Sequence, residues 1–100
     1  MTSEIQQEQL KLFIENDGDL YRQRTVPIWK NLQKKKLKKT YNPQLAIKLF
    51  RILVNEGAKK YIKLNWDERY SPFSPSDKLA VAKEFEKEFS EEYALGNIIE

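Results

Sequence analysis

The chain predicts an all-α fold: a small single-domain bundle of three to five helices spanning residues 1–100, with a long central helix at about 43–64 and a C-terminal helix at about 75–94. Three observations lead there. Apolar residues recur at three- and four-residue spacing over most of the chain, as one face of a helix requires. Prolines and turn residues fall where helices begin and end. Finally, 100 residues of which 33% are charged hold enough apolar material for one modest core and no more.

The first element opens at Ser3-Glu4-Ile5-Gln6, which has the form of a capping box, Ser with Gln three residues later. Ile5, Leu10, Phe13 and Ile14 give it a partial apolar stripe, and Asn16-Asp17-Gly18 supplies the stop. A short helical turn is expected over Asp19–Arg24. Pro27 then marks a new start, because its missing N–H costs nothing in a first turn. From there to Lys39 the chain reads as a basic helix with Ile28, Trp29, Leu32 and Leu37 as its apolar residues.

Asn42-Pro43 is the clearest start, Asn as N-cap and Pro at the first helical position. The helix it opens carries Ala46, Leu49, Phe50, Leu53, Gly57, Tyr61 and Leu64, a stripe widened by Ile47, Val54, Ala58 and Ile62. A stripe that wide predicts a central helix packed on more than one side. Gly57 within it costs about 1 kcal/mol relative to Ala. The expected compensation is a close helix crossing, at which Leu would overpack while Ala would be tolerated or stabilising. NWDERYSPFSPSD then forms a loop. Ser74 or Ser76 caps the last helix, with Pro75 in its first turn, Leu79, Ala82, Phe85, Phe89 and Tyr93 along one side, and Gly96-Asn97 at its end.

Net charge is +3, but it is unevenly spread. Residues 1–20 hold five acids against Lys11, residues 21–64 hold thirteen Lys and Arg against Glu56, and residues 65–100 hold nine acids against four bases. A basic middle between two acidic ends points to partners or to internal pairing. With no His and no Cys, the commonest general base, the thiol nucleophile and the usual zinc ligands are all missing. A carboxylate-only enzyme needs a cleft that so short a chain rarely builds. The expectation is therefore a non-enzymatic protein with no catalytic residues, no cofactor and no metal. No apolar run approaches the roughly 20 residues that span a bilayer, and MTSEIQQEQL lacks the basic start and apolar stretch of a secretory signal. No membrane partner and a cytoplasmic location are the expectation.

Three stretches could carry binding. KNLQKKKLKKTY holds Lys30, Lys34, Lys35, Lys36, Lys38 and Lys39. At about 100° per residue these cannot share one helix face. Together with Arg22 and Arg24 they form a candidate phosphate-binding set, and Trp29 and Tyr41 could add base stacking. A solvated helix end and pairing with the acidic final segment are the competing readings. The loop residues Trp66, Arg69, Tyr70 and Phe73 are of the types that anchor protein interfaces; alternatively their rings fold back to plug the core. In KEFEKEFSEEYALGN, Glu84 and Glu88 are a like-charged i,i+4 pair, with Glu91 and Glu92 beyond, and one helix face lacks the converging oxygens a divalent cation needs.

YNPQLAIKLFRILVNEGAKKYIK, with the closing EFEKEFSEEYALGN, resembles a group of short uncharacterised proteins encoded by bacteriophages and related mobile elements. The likeness covers residues 41–97. It implies a phage-type context, a host-cytoplasmic location and an all-helical fold, and it brings no activity, cofactor or site residue. Two functions follow as expectations: an interaction protein that binds a protein partner through charged and aromatic surfaces, or a nucleic-acid-binding protein using the basic segment 22–41.

Overall fold

The computed structural model describes residues 2–65 and 73–99, with side chains over 4–64 and 73–99. Every regular element among them is a helix: α1 (Thr2–Asn16), α2 (Gly18–Leu20), a π-helical segment (Tyr21–Thr25), α3 (Val26–Leu37), α4 (Pro43–Asn65) and α5 (Pro75–Ala94). The all-α expectation holds, and the central and C-terminal helices end within a residue of where the sequence places them.

Start and stop chemistry accounts for most boundaries. Asn42 Oδ1 accepts the Gln44 N–H at 2.8 Å, capping α4. Ser74, not Ser76, caps α5: its Oγ accepts the Asp77 N–H while the Asp77 carboxylate accepts the Ser74 N–H. Ser3 does not precede α1 as expected, since that helix already runs from Thr2. Asp17, read as part of a stop, both ends α1 and caps α2. Its Oδ1 accepts the Leu20 N–H at 2.9 Å and its Oδ2 meets Lys60 Nζ of α4 at 2.6 Å. The Lys60 bond, with the Leu20 N–H behind it, holds the Asp17 carboxyl below the usual carboxylate range.

Pro27 does not begin a separate helix. Leu20, Tyr21, Thr25 and Val26 all keep right-handed helical dihedrals, so α2, the π-helical segment and α3 run end to end. A proline inside a continuing helix leaves one carbonyl without a donor and crowds it with the ring. Just before Pro27 the turn is widened, and the Val26 N–H reaches back five residues to the Tyr21 carbonyl. That wider turn is how the helix accommodates the proline.

Helix α4 lies at the centre. Ala46, Phe50, Leu53, Val54 and Ala58 are each no more than 1% exposed. Phe50 stacks on Phe85 with ring centroids 5.8 Å apart, Tyr61 meets Phe73 edge-on at 5.3 Å, and Tyr41 stacks on Phe89 at 5.9 Å. The pairs run in opposite order along the two segments, so α5 lies antiparallel to α4. Helix α1 closes one side with buried Leu10 and Ile14, and α3 another with Ile28 and Leu32. Leu64 (66% exposed) and Leu37 (76%) leave the core despite their place in the apolar pattern; each falls in the last turn of its helix.

Gly57 is the crossing point of α1 and α4. A β-carbon built there would lie 2.4 Å from Ile14 Cγ1 and 2.7 Å from Cδ1. The crossing is as expected, but it is too tight for alanine, which corrects the tolerance read from helix propensity.

Candidate functional site

The lysine-rich end of α3 is shaped by how that helix stops. Thr40 N–H bonds the Lys35 carbonyl at 2.8 Å and Lys39 N–H the Lys36 carbonyl at 3.2 Å, with Lys39 at φ +60. This is the Schellman ending, in which the residue after the cap turns left-handed, a position that favours glycine. Helix α5 ends the same way, with Gly96 at φ +86. The left-handed Lys39 reverses the chain and delivers Tyr41 back onto α5.

Tyr41 is the anchor of this end. Its Oη donates to Glu86 Oε2 at 2.7 Å, and Ser90 Oγ donates to the same oxygen at 2.7 Å. Burial, with Glu86 adding to it and the Ser90 contact opposing it, pushes the phenol up to about 12. The Tyr41 ring supports Lys36, whose Nζ stands 4.0 Å from the ring centroid and 5.7 Å from that of Tyr93. Nothing in the sequence links Lys36 to Tyr93. Lys36 and Tyr41 are five residues apart across a helix end whose left-handed turn residue is a lysine, and that irregular turn hid the contact.

The other members of the run behave differently. Lys35 is half-buried, and Lys30, Lys34, Lys38 and Lys39 are exposed. Lys30, Lys34 and Lys38 recur every four residues, giving a ridge along one side of α3. Among the described residues none of the six lysines stands within ion-pair distance of a carboxylate. Pairing of the run with the acidic final segment is thus not found there: Glu88 pairs with Lys11 of α1, and Glu86 bonds Tyr41 and Ser90. Leu37, 76% exposed, sits among these cations as an apolar contact point.

Two predicted members separate from the ridge. Arg22 is held by Asp19 at 2.7 Å, and Arg24 by Glu56 of α4 at 2.6 Å. The bond to Glu56 raises the Arg24 guanidinium further above its ordinary value. Both guanidinium groups, on the π-helical segment, thus have a carboxylate partner within the fold, in pairs that stay open to solvent. Trp29 packs edge-on against Phe89 at 5.1 Å, so it is a packing residue and not a stacking platform.

Of the predicted loop surface, Trp66, Arg69 and Tyr70 lie outside the described residues. Phe73 is 3% exposed and packed on Tyr61. It plugs the core and is not a partner-facing anchor, because burying the ring against Tyr61 removes it from the surface. On the acidic side, among the described residues no group of three or more His, Cys, Asp or Glu converges as a metal site would require.

A buried polar contact escaped the sequence reading. Gln33, 8% exposed, donates from Nε2 to the Ile99 carbonyl at 2.8 Å and accepts the Ile99 N–H on Oε1 at 2.7 Å. The two bonds satisfy the amide and fasten residues 97–99 alongside α3. Glutamine on a charged helix looks like one more wetted residue, and no spacing rule singles it out.

Comparison with known protein families, with curated proteins and with solved structures finds no match for this chain.

Proposed function

We propose that this chain is a small non-enzymatic interaction protein, of the kind that phages encode and acting in the host cytoplasm, that grips an acidic protein surface with the α3 ridge. The observation that carries the reading is Leu37 standing 76% exposed among Lys34, Lys38 and Lys39, with no carboxylate of the fold paired to them among the described residues. An apolar contact ringed by cations suits a partner with a small apolar pocket inside an acidic rim, where charge steers encounter and the apolar residue supplies holding energy.

A second reading, docking on nucleic-acid phosphate, draws on the same lysines. The aromatic side chains beside the ridge disfavour it. Tyr41 is occupied by Phe89 and Lys36, and Tyr93 by Phe89 and Lys36, so neither of these rings beside the run is free for a base to stack on.

The test is capture from host lysate by wild type and by two variants, Leu37→Asp and Lys34→Glu/Lys38→Glu, alongside a mobility shift with random DNA and RNA at about 50 mM salt, where phosphate binding is strong. A protein captured by wild type and lost by both variants, with no mobility shift, supports the reading. A mobility shift that weakens steeply with salt and disappears in the charge-reversed variant moves the assignment to nucleic acid.

A further inference from the structure

A separate cavity lies away from the ridge, lined by residues of α1, the π-helical segment, α3, α5 and residues 97–99 and half open to solvent, with a volume of about 300 Å³. That is the lower end of the range for small-molecule sites, roughly 300–1,000 Å³. Its walls combine three aromatic rings, Tyr21, Trp29 and Phe85, with two carboxylates, Glu15 and Glu88. Among the described residues no Lys or Arg lines it.

Two features give it a definite chemistry. In the π-helical segment each turn holds more residues than an α-turn, so residues four apart come closer to alignment, and Tyr21 and Thr25 both face the cavity. The opposite wall, Asn97–Ile99, is held in place by the double hydrogen bond between Gln33 and Ile99. The cavity is therefore preformed, which lowers the cost of binding.

Its charge is unbalanced. Glu88 receives a hydrogen bond from Lys11, and Glu15 lies 3.8 Å from the same ammonium. Among the described residues one cation thus serves two carboxylates and leaves a formal negative charge at the rim. Lys11 itself shows what the site favours. Its Nζ stands 5.9 Å from the Phe85 ring centroid. Burial opposes its charge, but the Glu88 bond and the charges of Glu88, Glu15 and Glu84 prevail and raise its pKa. Carboxylates over an aromatic wall stabilise an ammonium ion here.

We infer that the cavity binds a small organic ammonium ion with a flat apolar body, an arylalkylamine in class, the ring lying among Tyr21, Trp29 and Phe85 and the ammonium at Glu15 and Glu88. Anions are rejected by the carboxylates, and neutral molecules of the same shape gain the apolar contacts alone. This binding is independent of the α3 ridge.

Three probes sharing a phenylethyl body separate the possibilities when titrated into the full chain: 2-phenylethylammonium, 2-phenylethanol and 3-phenylpropanoate. Amide and indole shifts of Tyr21, Thr25, Trp29, Asn97 and Ile98 report occupancy. The ammonium should bind about tenfold more tightly than the alcohol, from a cation–π contact plus a partly screened ion pair, and the carboxylate should not bind. Glu88→Gln and Glu15→Gln should each erase most of that preference while leaving the alcohol's affinity unchanged. Tyr21→Ala, at a residue 46% exposed and outside the core, should weaken both ammonium and alcohol without loss of fold. Equal binding of ammonium and alcohol, retention of the preference in both glutamine variants, or no shift at these residues with any probe overturns the inference.

Discussion

Replacing Gly57 by alanine tests the tightest contact in the fold. On helix propensity alone the change should stabilise by about 1 kcal/mol. The structure reverses that sign. The new β-carbon would stand 2.4 Å from Ile14 Cγ1 and 2.7 Å from Cδ1, whereas carbon atoms rest at about 3.5–4.0 Å. Either Ile14 or the α1 backbone must therefore retreat by about 1 Å, and Ile14, 1% exposed but bordering a cavity on its other side, can do so only by giving up its present packing. Overpacking of this kind costs about 1–3 kcal/mol. Against the propensity gain, the net expectation is destabilisation of up to about 2 kcal/mol, a fall in Tm of roughly 4–8 °C per kcal/mol for a domain of this size. The decisive assay is a double-mutant cycle by urea denaturation. In an Ile14→Ala background the clashing atoms are gone, so Gly57→Ala should there recover its favourable value of about 1 kcal/mol. If Gly57→Ala stabilises the wild-type chain as much as it does the Ile14→Ala chain, the close crossing is refuted.

Other expectations follow from the same geometry. Lys39→Gly relieves a left-handed lysine at the α3 ending and should raise stability by about 1 kcal/mol, visible as a higher urea midpoint with unchanged slope; a fall would mean that the turn does not adopt this form in solution. Leu53→Ala empties a fully buried position on α4 and should cost about 2–5 kcal/mol by the same measurement, so an unmoved midpoint would remove Leu53 from the core. Tyr41 should ionise near 12 in an ultraviolet titration, and Tyr41→Phe should abolish that late step. Because the folded value lies above the ordinary value of about 10, the phenol's contribution to stability is complete below pH 10 and is lost as pH rises towards 12. A Tyr41 that titrates near the ordinary value of about 10 would show that its ring and hydroxyl are open to water.

What was legible in the sequence divides along physical lines. Helices whose ends carry their own chemistry, Asn42-Pro43 and Ser74-Pro75, read correctly, because a cap is a local interaction within three or four residues. The α4 core read correctly too, since burial on several sides leaves a wide periodic stripe. Pro27 misled because proline signals a start whenever the preceding turn is assumed to be α-helical; a widened turn has no residue signature of its own. The binding set read in part. The lysines were visible as composition, but the carboxylates that claim Arg22 and Arg24, and the rings that hold Lys36, come from elements 3 to 57 residues away. Phe73 could be read either as an anchor or as a plug, and only its contact with Tyr61 decides.

The widened turn before Pro27 also acts as a phase setter. A single residue advances an α-helix by about 100°, so the register in which Tyr21–Thr25 is wound determines the compass bearing of everything downstream. With the wide turn in place, Ile28 and Leu32 point inward and Lys30, Lys34 and Lys38 outward. Deleting one residue from the segment would leave the helix as long as it needs to be but rotate α3 by about a quarter of a turn relative to α1. The ridge and the core stripe would then compete for the same bearing. The direction in which this protein presents its charge is thus written as a local irregularity in winding, several residues before the first lysine of the run.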